Sequence, residues 1–339
     1  MTDRYQVIGA LSSPFSVKMR AIMRYRRLPH DWILNTAEVR ERTRHVRPPI
    51  IPKVHFPEEP DDVWHVDSSP LAYTLEERHQ GRSILPDDPA HAFLAHLLED
   101  FGDEWGTKMM FHYRWVGEDK GGDTEYVSHL MLYPGTGPAS DDELREAAHK
   151  FRDWQVPLWP VAGIEPQNVP LIETSFGRIV AAWDLVLRDQ HFLFGSRPSL
   201  GDFGFYGQLY QCFWNPASFK VMAQVSKRIV PWLTIIDDAS GVEGAWIDPD
   251  AAPCEGVAEL LWLAGEVYLP YLDATARAIE AGHDRLEFTA LGLEHSQKPM
   301  KYHARCLEVM REKLAALADG DRKKVERLLG ETDAFRFLA

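Results

Sequence analysis

A chain of 339 residues, 45% hydrophobic and 26% charged, has the composition of an ordinary globular protein and the length of about two domains. Thirty-seven basic against 51 acidic residues give a formal charge of −14, which argues against nucleic acid or an anionic membrane as partner. Three scattered cysteines, Cys212, Cys254 and Cys306, are too few for a disulfide framework and have no CxxC spacing, and no apolar run suits a secretory core or a membrane span, so a cytoplasmic protein is expected.

Residues 1–56 hold eleven lysines and arginines against four acids. They are interleaved with strand and turn signals, which points to a folded lobe that attracts a small anion rather than to a nucleic-acid arm. Residues 5–11 are β-favouring and stop at Ser12-Ser13-Pro14. Ser13 suits a helix N-cap and Pro14 a first helical position, after which Phe15, Met19, Ile22 and Met23 form an apolar face, with Lys18, Arg24, Arg26 and Arg27 left for solvent. Further strands are expected at 32–36, 53–56 and 64–66, with a polar, Arg-rich stretch at 38–47 and an acidic loop between the last two strands. Ser69 and Pro70 then open a helix bearing Leu71 and Leu75. The order is that of one compact α/β domain of about 80 residues.

Beyond Leu85 the periodicity becomes helical. A long helix is expected at 92–115, a Gly- and Pro-rich loop at 117–140, and a strong stripe at Ile172, Phe176, Ile179, Trp183 and Val186. Ser199 and Asp202 form a variant capping box. Residues 237–253 are turn-rich, and the rest reads as helical, with Leu307, Met310, Leu314 and Leu317 in near-heptad spacing. No internal repeat is evident. His91 and His96 are expected in solvent, His295 and His303 have no evident partner, and no metal site is expected.

Three sites in the first lobe carry chemistry. Ser13, with Ser12 as the alternate, stands where helix-terminal amides favour an anion, although a serine there can equally cap its own helix. Ile51-Pro52 precedes a strand, where a cis peptide would expose the backbone of Ile51 to a ligand. Asp67-Ser68 opens a helix with a carboxylate for a ligand ammonium and a hydroxyl and amide for a carboxylate.

Taken together, these residues resemble the glutathione S-transferase superfamily. Ser13-Pro14-Phe15-Ser16 followed by Arg20 looks like its active-site turn, and Ile51-Pro52-Lys53-Val54 is similar to its cis-proline motif. Residues 67–76 resemble the segment that holds the γ-glutamyl group, and Arg197-Pro198-Ser199-Leu200-Gly201-Asp202 resembles the helical-domain capping box. Pro49 departs from the usual glycine, Asp67 from the usual Glu, and residues beyond about 235 are unmatched.

The resemblance implies a thioredoxin-like N-terminal domain at 1–85 and an all-helical glutathione-transferase-type C-terminal domain at 86–236; the unmatched residues 237–339 are read from their own pattern as a helical extension packed on the latter. The resemblance also implies glutathione as co-substrate, a small hydrophobic electrophile as second substrate, and a homodimer. Ser13 would stabilise the glutathione thiolate, Ile51, Pro52, Asp67 and Ser68 would bind glutathione, and Phe15, Trp105, Met109, His112 and Tyr113 would line the second-substrate pocket. Conjugation, ether or halide cleavage, and isomerisation all fit this chemistry. A non-catalytic glutathione-fold binding protein using the extension as its interface is the alternative.

Overall fold

In the computed structural model, which describes residues 4–137, 139–330 and 334–338, a four-stranded sheet leads into a mostly helical body. The first lobe runs β1 (Tyr5–Gly9), α1 (Pro14–Tyr25), β2 (His30–Leu34), α2 (Ala37–Arg42), β3 (Lys53–His55), β4 (His65–Val66) and α3 (Ser68–Arg78). Strand order is β2-β1-β3-β4, with β1 parallel to β2 and antiparallel to β3, and β3 antiparallel to β4. This is a thioredoxin-like arrangement. Helix α2 lies in the Arg-rich stretch, capped by Thr36, and α3 starts at Ser68 with Asp67 as its N-cap, two residues before the expected cap Ser69.

Helix α1 is buried on two sides. Met19 and Met23 join Val7, Val54, Leu71 and Leu75 in the core beneath the sheet, while Val17, Ala21, Ile22 and Tyr25 join the helical core. The expectation that Lys18 and Arg26 face solvent is therefore overturned. Lys18 is fully buried and Arg26 is 5% exposed. Arg26 pairs with Glu76 at 2.6 Å and donates to the His79 carbonyl at 2.7 Å.

The helical body contains α4 (Pro89–Asp100), a five-residue π turn (Phe101–Trp105), α5 (Gly106–Arg114), α6 (Thr124–Thr136), α7 (Asp141–Gln155), α8 (Val169–Asp189), α9 (Leu200–Trp214), α10 (Pro216–Val225) and α11 (Ile229–Asp237). The expected loop at 117–140 is thus largely helix α6. The α8 stripe is fully buried, and the Ser199–Asp202 box forms, with the Ser199 hydroxyl donating to Asp202 at 2.6 Å.

The extension adds α12 (Glu255–Leu263), a second π turn (Ala264–Tyr268), α13 (Leu269–Glu280), a hairpin of β5 (Leu286–Ala290) and β6 (Leu293–Gln297), α14 (Lys301–Ala315), α15 (Asp319–Leu329) and α16 (Phe335–Leu338). The hairpin departs from the helical expectation. Its two-residue turn places Leu291 at φ 53° and Gly292 at φ 73°, both left-handed as a primed turn requires, but Leu-Gly is not a usual signature of such a turn. The π turns also uncover a short repeat: Leu97-Leu98, Gly102 and Trp105 match Leu260-Leu261, Gly265 and Tyr268 in the same register. The two turns meet, with the rings of Phe101 and Tyr268 5.5 Å apart and the Tyr268 hydroxyl donating to Asp100 at 2.6 Å.

Buried polar bonds tie the extension down. Lys108 Nζ donates to Gln297 Oε1 at 2.6 Å and to the Ala162 carbonyl at 3.0 Å, and the His303 ring bridges Tyr271 (2.7 Å) and Glu104 (3.0 Å). His91 and His96 are buried rather than solvated, 1% and 6% exposed. No helix among the described residues is long and apolar enough to cross a membrane.

Burial pushes Lys108 down to about 7, with Glu104 opposing. The folded chain therefore binds fewer protons than the unfolded chain between pH 7 and the ordinary lysine range, so this group makes stability rise with pH there. Urea denaturation across that interval is expected to give a steeper rise for the wild type than for Lys108→Met.

Candidate functional site

The strand register gathers the predicted residues at one end of the sheet. Ile8 pairs with Lys53 and Lys53 with Val66, so the Ser12–Ser13 turn after β1, Pro52 before β3 and Asp67 after β4 emerge side by side. Gly9 is required at this exit, because a Cβ there would lie 2.4 Å from the Trp32 ring and 2.9 Å from the Ser16 Cβ. Ser13 is the N-cap of α1, its hydroxyl accepting from the Ser16 amide at 3.3 Å, and Pro14 takes the first helical position. The Ile51–Pro52 peptide is cis, as is Arg47–Pro48. Asp67 adopts φ 77°, a left-handed conformation unusual for a non-glycine residue.

The helical body holds this end from behind. Gln211 Nε2 donates to the Leu11 carbonyl at 2.9 Å, and Arg114 Nη2 to the Ser12 carbonyl at 3.0 Å and to Gln211 Oε1 at 3.2 Å. A Cβ on Gly207 would sit 2.8 Å from the Pro14 carbonyl, so glycine there lets α9 approach α1. Arg20 is an anchor between the two lobes: it donates to Asp237 at 2.7 Å, joined by the Tyr206 hydroxyl at 2.6 Å and Arg24 at 3.0 Å. Burial would raise Asp237, but Tyr206 and the two guanidiniums hold its carboxyl below the usual range.

Beneath Ser68 and Ser69 lies the buried ammonium of Lys18. It contacts the Ser68 hydroxyl at 3.5 Å and the Ser69 hydroxyl at 3.3 Å, and ion-pairs with Glu99 and Asp103. Burial would push Lys18 down, but the facing Asp103 and Glu99 outweigh it and hold it charged. Burial raises Asp103 well above the usual range, whereas Lys18 outweighs burial at Glu99 and holds it below. Two buried carboxyls thus face one ammonium. Asp67 is raised by burial, with Lys18 opposing.

The predicted pocket stripe is placed elsewhere. Trp105, Met109, His112 and Tyr113 belong to the interior, between 0% and 8% exposed, with Trp105 Nε1 donating to Ser175 at 2.9 Å and His112 2.9 Å from Glu173. Phe15 is half-buried in the first turn of α1. A cavity of about 170 Å³ instead adjoins the Ser12–Ser13 turn, walled by Ser12, Arg114, Leu130, Met131, Tyr210 and Trp214. Its α6 wall lies in the segment expected to be loop.

Sequence reading also missed the Lys18 cluster. Its signal was present: Glu99, Asp100, Asp103 and Glu104 interrupt an otherwise apolar helical stretch, a pattern that calls for a buried counter-charge. Among the described residues, no group of three or more His, Cys, Asp or Glu is placed to hold a metal.

Substituting methionine for Lys18 would leave Glu99 without its counter-charge. Lys18→Met is expected to cost about 3–5 kcal/mol in urea denaturation. Asp103→Asn is expected to cost much less, and equal losses would show that Asp103 is ionised.

No family model matches the sequence, and no curated protein does. The solved structures to which the chain is similar include several glutathione S-transferases. The β-etherase LigF from Sphingobium sp. is 17% identical with a TM-score of 0.45, over 76% of this chain and 98% of that one. A glutathione S-transferase from Methylobacterium radiotolerans, solved with glutathione sulfonate, is 18% identical with a TM-score of 0.39, over 74% and 99%. The Tau class glutathione S-transferase from mango, Mangifera indica, is 15% identical with a TM-score of 0.40, over 70% and 89%.

Proposed function

We propose that the protein is a glutathione S-transferase-like enzyme in which Ser13 stabilises the glutathione thiolate for attack on a hydrophobic electrophile. The observation that carries this reading is the convergence of the Ser13 turn, the cis Ile51–Pro52 peptide and Asp67 at one end of the sheet. Glutathione would lie across that end, with its cysteinyl backbone on Ile51 and its γ-glutamyl group on Asp67 and Ser68. The Ser13 lone pair answers the Ser16 amide, which leaves the hydroxyl proton for a thiolate. The helix dipole adds to the stabilisation.

A free thiol near pKa 8.5 is about 3% ionised at pH 7, and lowering it by about two units requires roughly 2.7 kcal/mol of preference for the thiolate. A hydroxyl donor with a helix N-terminus supplies energy of that order. The electrophile would occupy the cavity beside Ser12, whose Leu130, Met131 and Trp214 suit an apolar group and whose Arg114 suits an anionic one. This cavity takes the role assigned from sequence to the Trp105 stripe. The three cysteines are free, in keeping with a cytoplasmic setting, and none lies in the turn that would bear a mixed disulfide.

Ser13→Ala is expected to raise the pKa of bound glutathione, followed by thiolate absorbance, towards the free value and to lower turnover of an aryl halide about 100-fold near pH 6.5. Unchanged values would remove Ser13 from this role. Calorimetry is expected to show glutathione binding that weakens about tenfold or more in Asp67→Ala. Absence of binding to the wild type would overturn the enzyme reading.

A further inference from the structure

Helix α14 reaches back across the body to the mouth of α3. A cavity of about 360 Å³ lies between them, with Asp67 and Tyr73 on one wall, Tyr302, Arg305 and Lys313 on another, and His96 at its base. The Tyr302 hydroxyl donates to Asp67 Oδ2 at 3.4 Å. This is long for a bond between two oxygens, so the pair is adjacent without being closed on itself. Glu104, from the first π turn, exerts its charge on both groups, and its own carboxylate is held by the His303 ring at 3.0 Å. His96, 6% exposed, has its Nδ1 turned to Glu99 at 3.6 Å rather than to the cavity.

The Asp67 carboxylate and the Tyr302 hydroxyl face one space, whose wall also carries Arg305 and Lys313, the Lys313 ammonium lying over the Tyr73 ring 3.8 Å from its centroid, and the two oxygens form an acceptor pair for a small cation. An ammonium nitrogen between the Tyr302 oxygen and Asp67 Oδ2 is within reach of both. The end of glutathione assigned above to Asp67 carries such a group, the α-ammonium of its γ-glutamyl residue. We propose that the C-terminal extension completes the glutathione site within a single chain, with Tyr302 as a residue that recognises the γ-glutamyl ammonium together with Asp67. The inference rests on the glutathione reading and adds to it a contact from the segment that matched no motif. It also separates α14 from a purely structural role: the ring of Tyr302 packs beside His303, with centroids 6.1 Å apart, while its hydroxyl is turned to Asp67.

The test uses the full chain, Tyr302→Phe and two ligands, measured by calorimetry. The ligands are glutathione and its des-amino analogue, in which a glutaryl group replaces γ-glutamyl. Phenylalanine keeps the ring and its packing and removes only the hydroxyl. The expected result is about tenfold weaker binding of glutathione to Tyr302→Phe, with binding of the analogue unchanged. Equal binding of glutathione by the two proteins, or equal weakening of both ligands, overturns the role of Tyr302 and leaves the glutathione reading standing. If the wild type binds neither ligand, the glutathione reading fails and this inference fails with it.

Discussion

The buried ammonium of Lys18 is the point on which both lobes depend. An ion cannot be left alone in an interior without a cost of several kcal/mol, so the position of Lys18 on α1 dictates where Glu99 and Asp103 must come. Those two acids sit on either side of the place where α4 gives way to its π turn, and the irregularity carries both towards the same nitrogen. The Ser68 and Ser69 hydroxyls complete the shell, which fixes the start of α3 and with it the backbone of Asp67. A single charge thus ties together the sheet lobe, the helical body and the start of α3.

Around that centre the candidate site is assembled largely from its back. The turn bearing Ser12 and Ser13 belongs to the sheet lobe, yet its carbonyls are held by Arg114 and Gln211 of the helical body. Backbone held in this way can present a hydroxyl in one orientation, which is what differential binding of a thiolate over a thiol requires. The cavity beside the turn is walled mainly by α6 and α9. Changes in α6 would alter what the cavity admits without disturbing the turn itself.

Much of this was legible from residue order. The Ser13-Pro14 cap, the Ile51-Pro52 turn, the Ser199–Asp202 box and the α8 stripe are local patterns, and local patterns survive in the structure. What escaped depended on long-range partners. Lys18 reads as a solvent residue because its counter-ions lie more than eighty positions away. His91 and His96 read as exposed because nothing nearby in sequence reveals that α14 and α15 cover α4. The Trp105 stripe has the spacing of a pocket wall and of a core alike, and only the packing of α8 and the β5–β6 hairpin against it distinguishes them. The repeated π turns share too few residues to stand out until the irregularity itself is seen.

The extension shares one hydrophobic core with the rest of the body, a cluster that contains both Val17 and Leu338. Ribosomal synthesis proceeds from the N-terminus, so α1 and the turn bearing Ser13 emerge when neither the acids that neutralise Lys18 nor the helix that meets Asp67 yet exists. Closing contacts across nearly the whole chain carries a large loop-entropy term and slows the final assembly relative to the local helices.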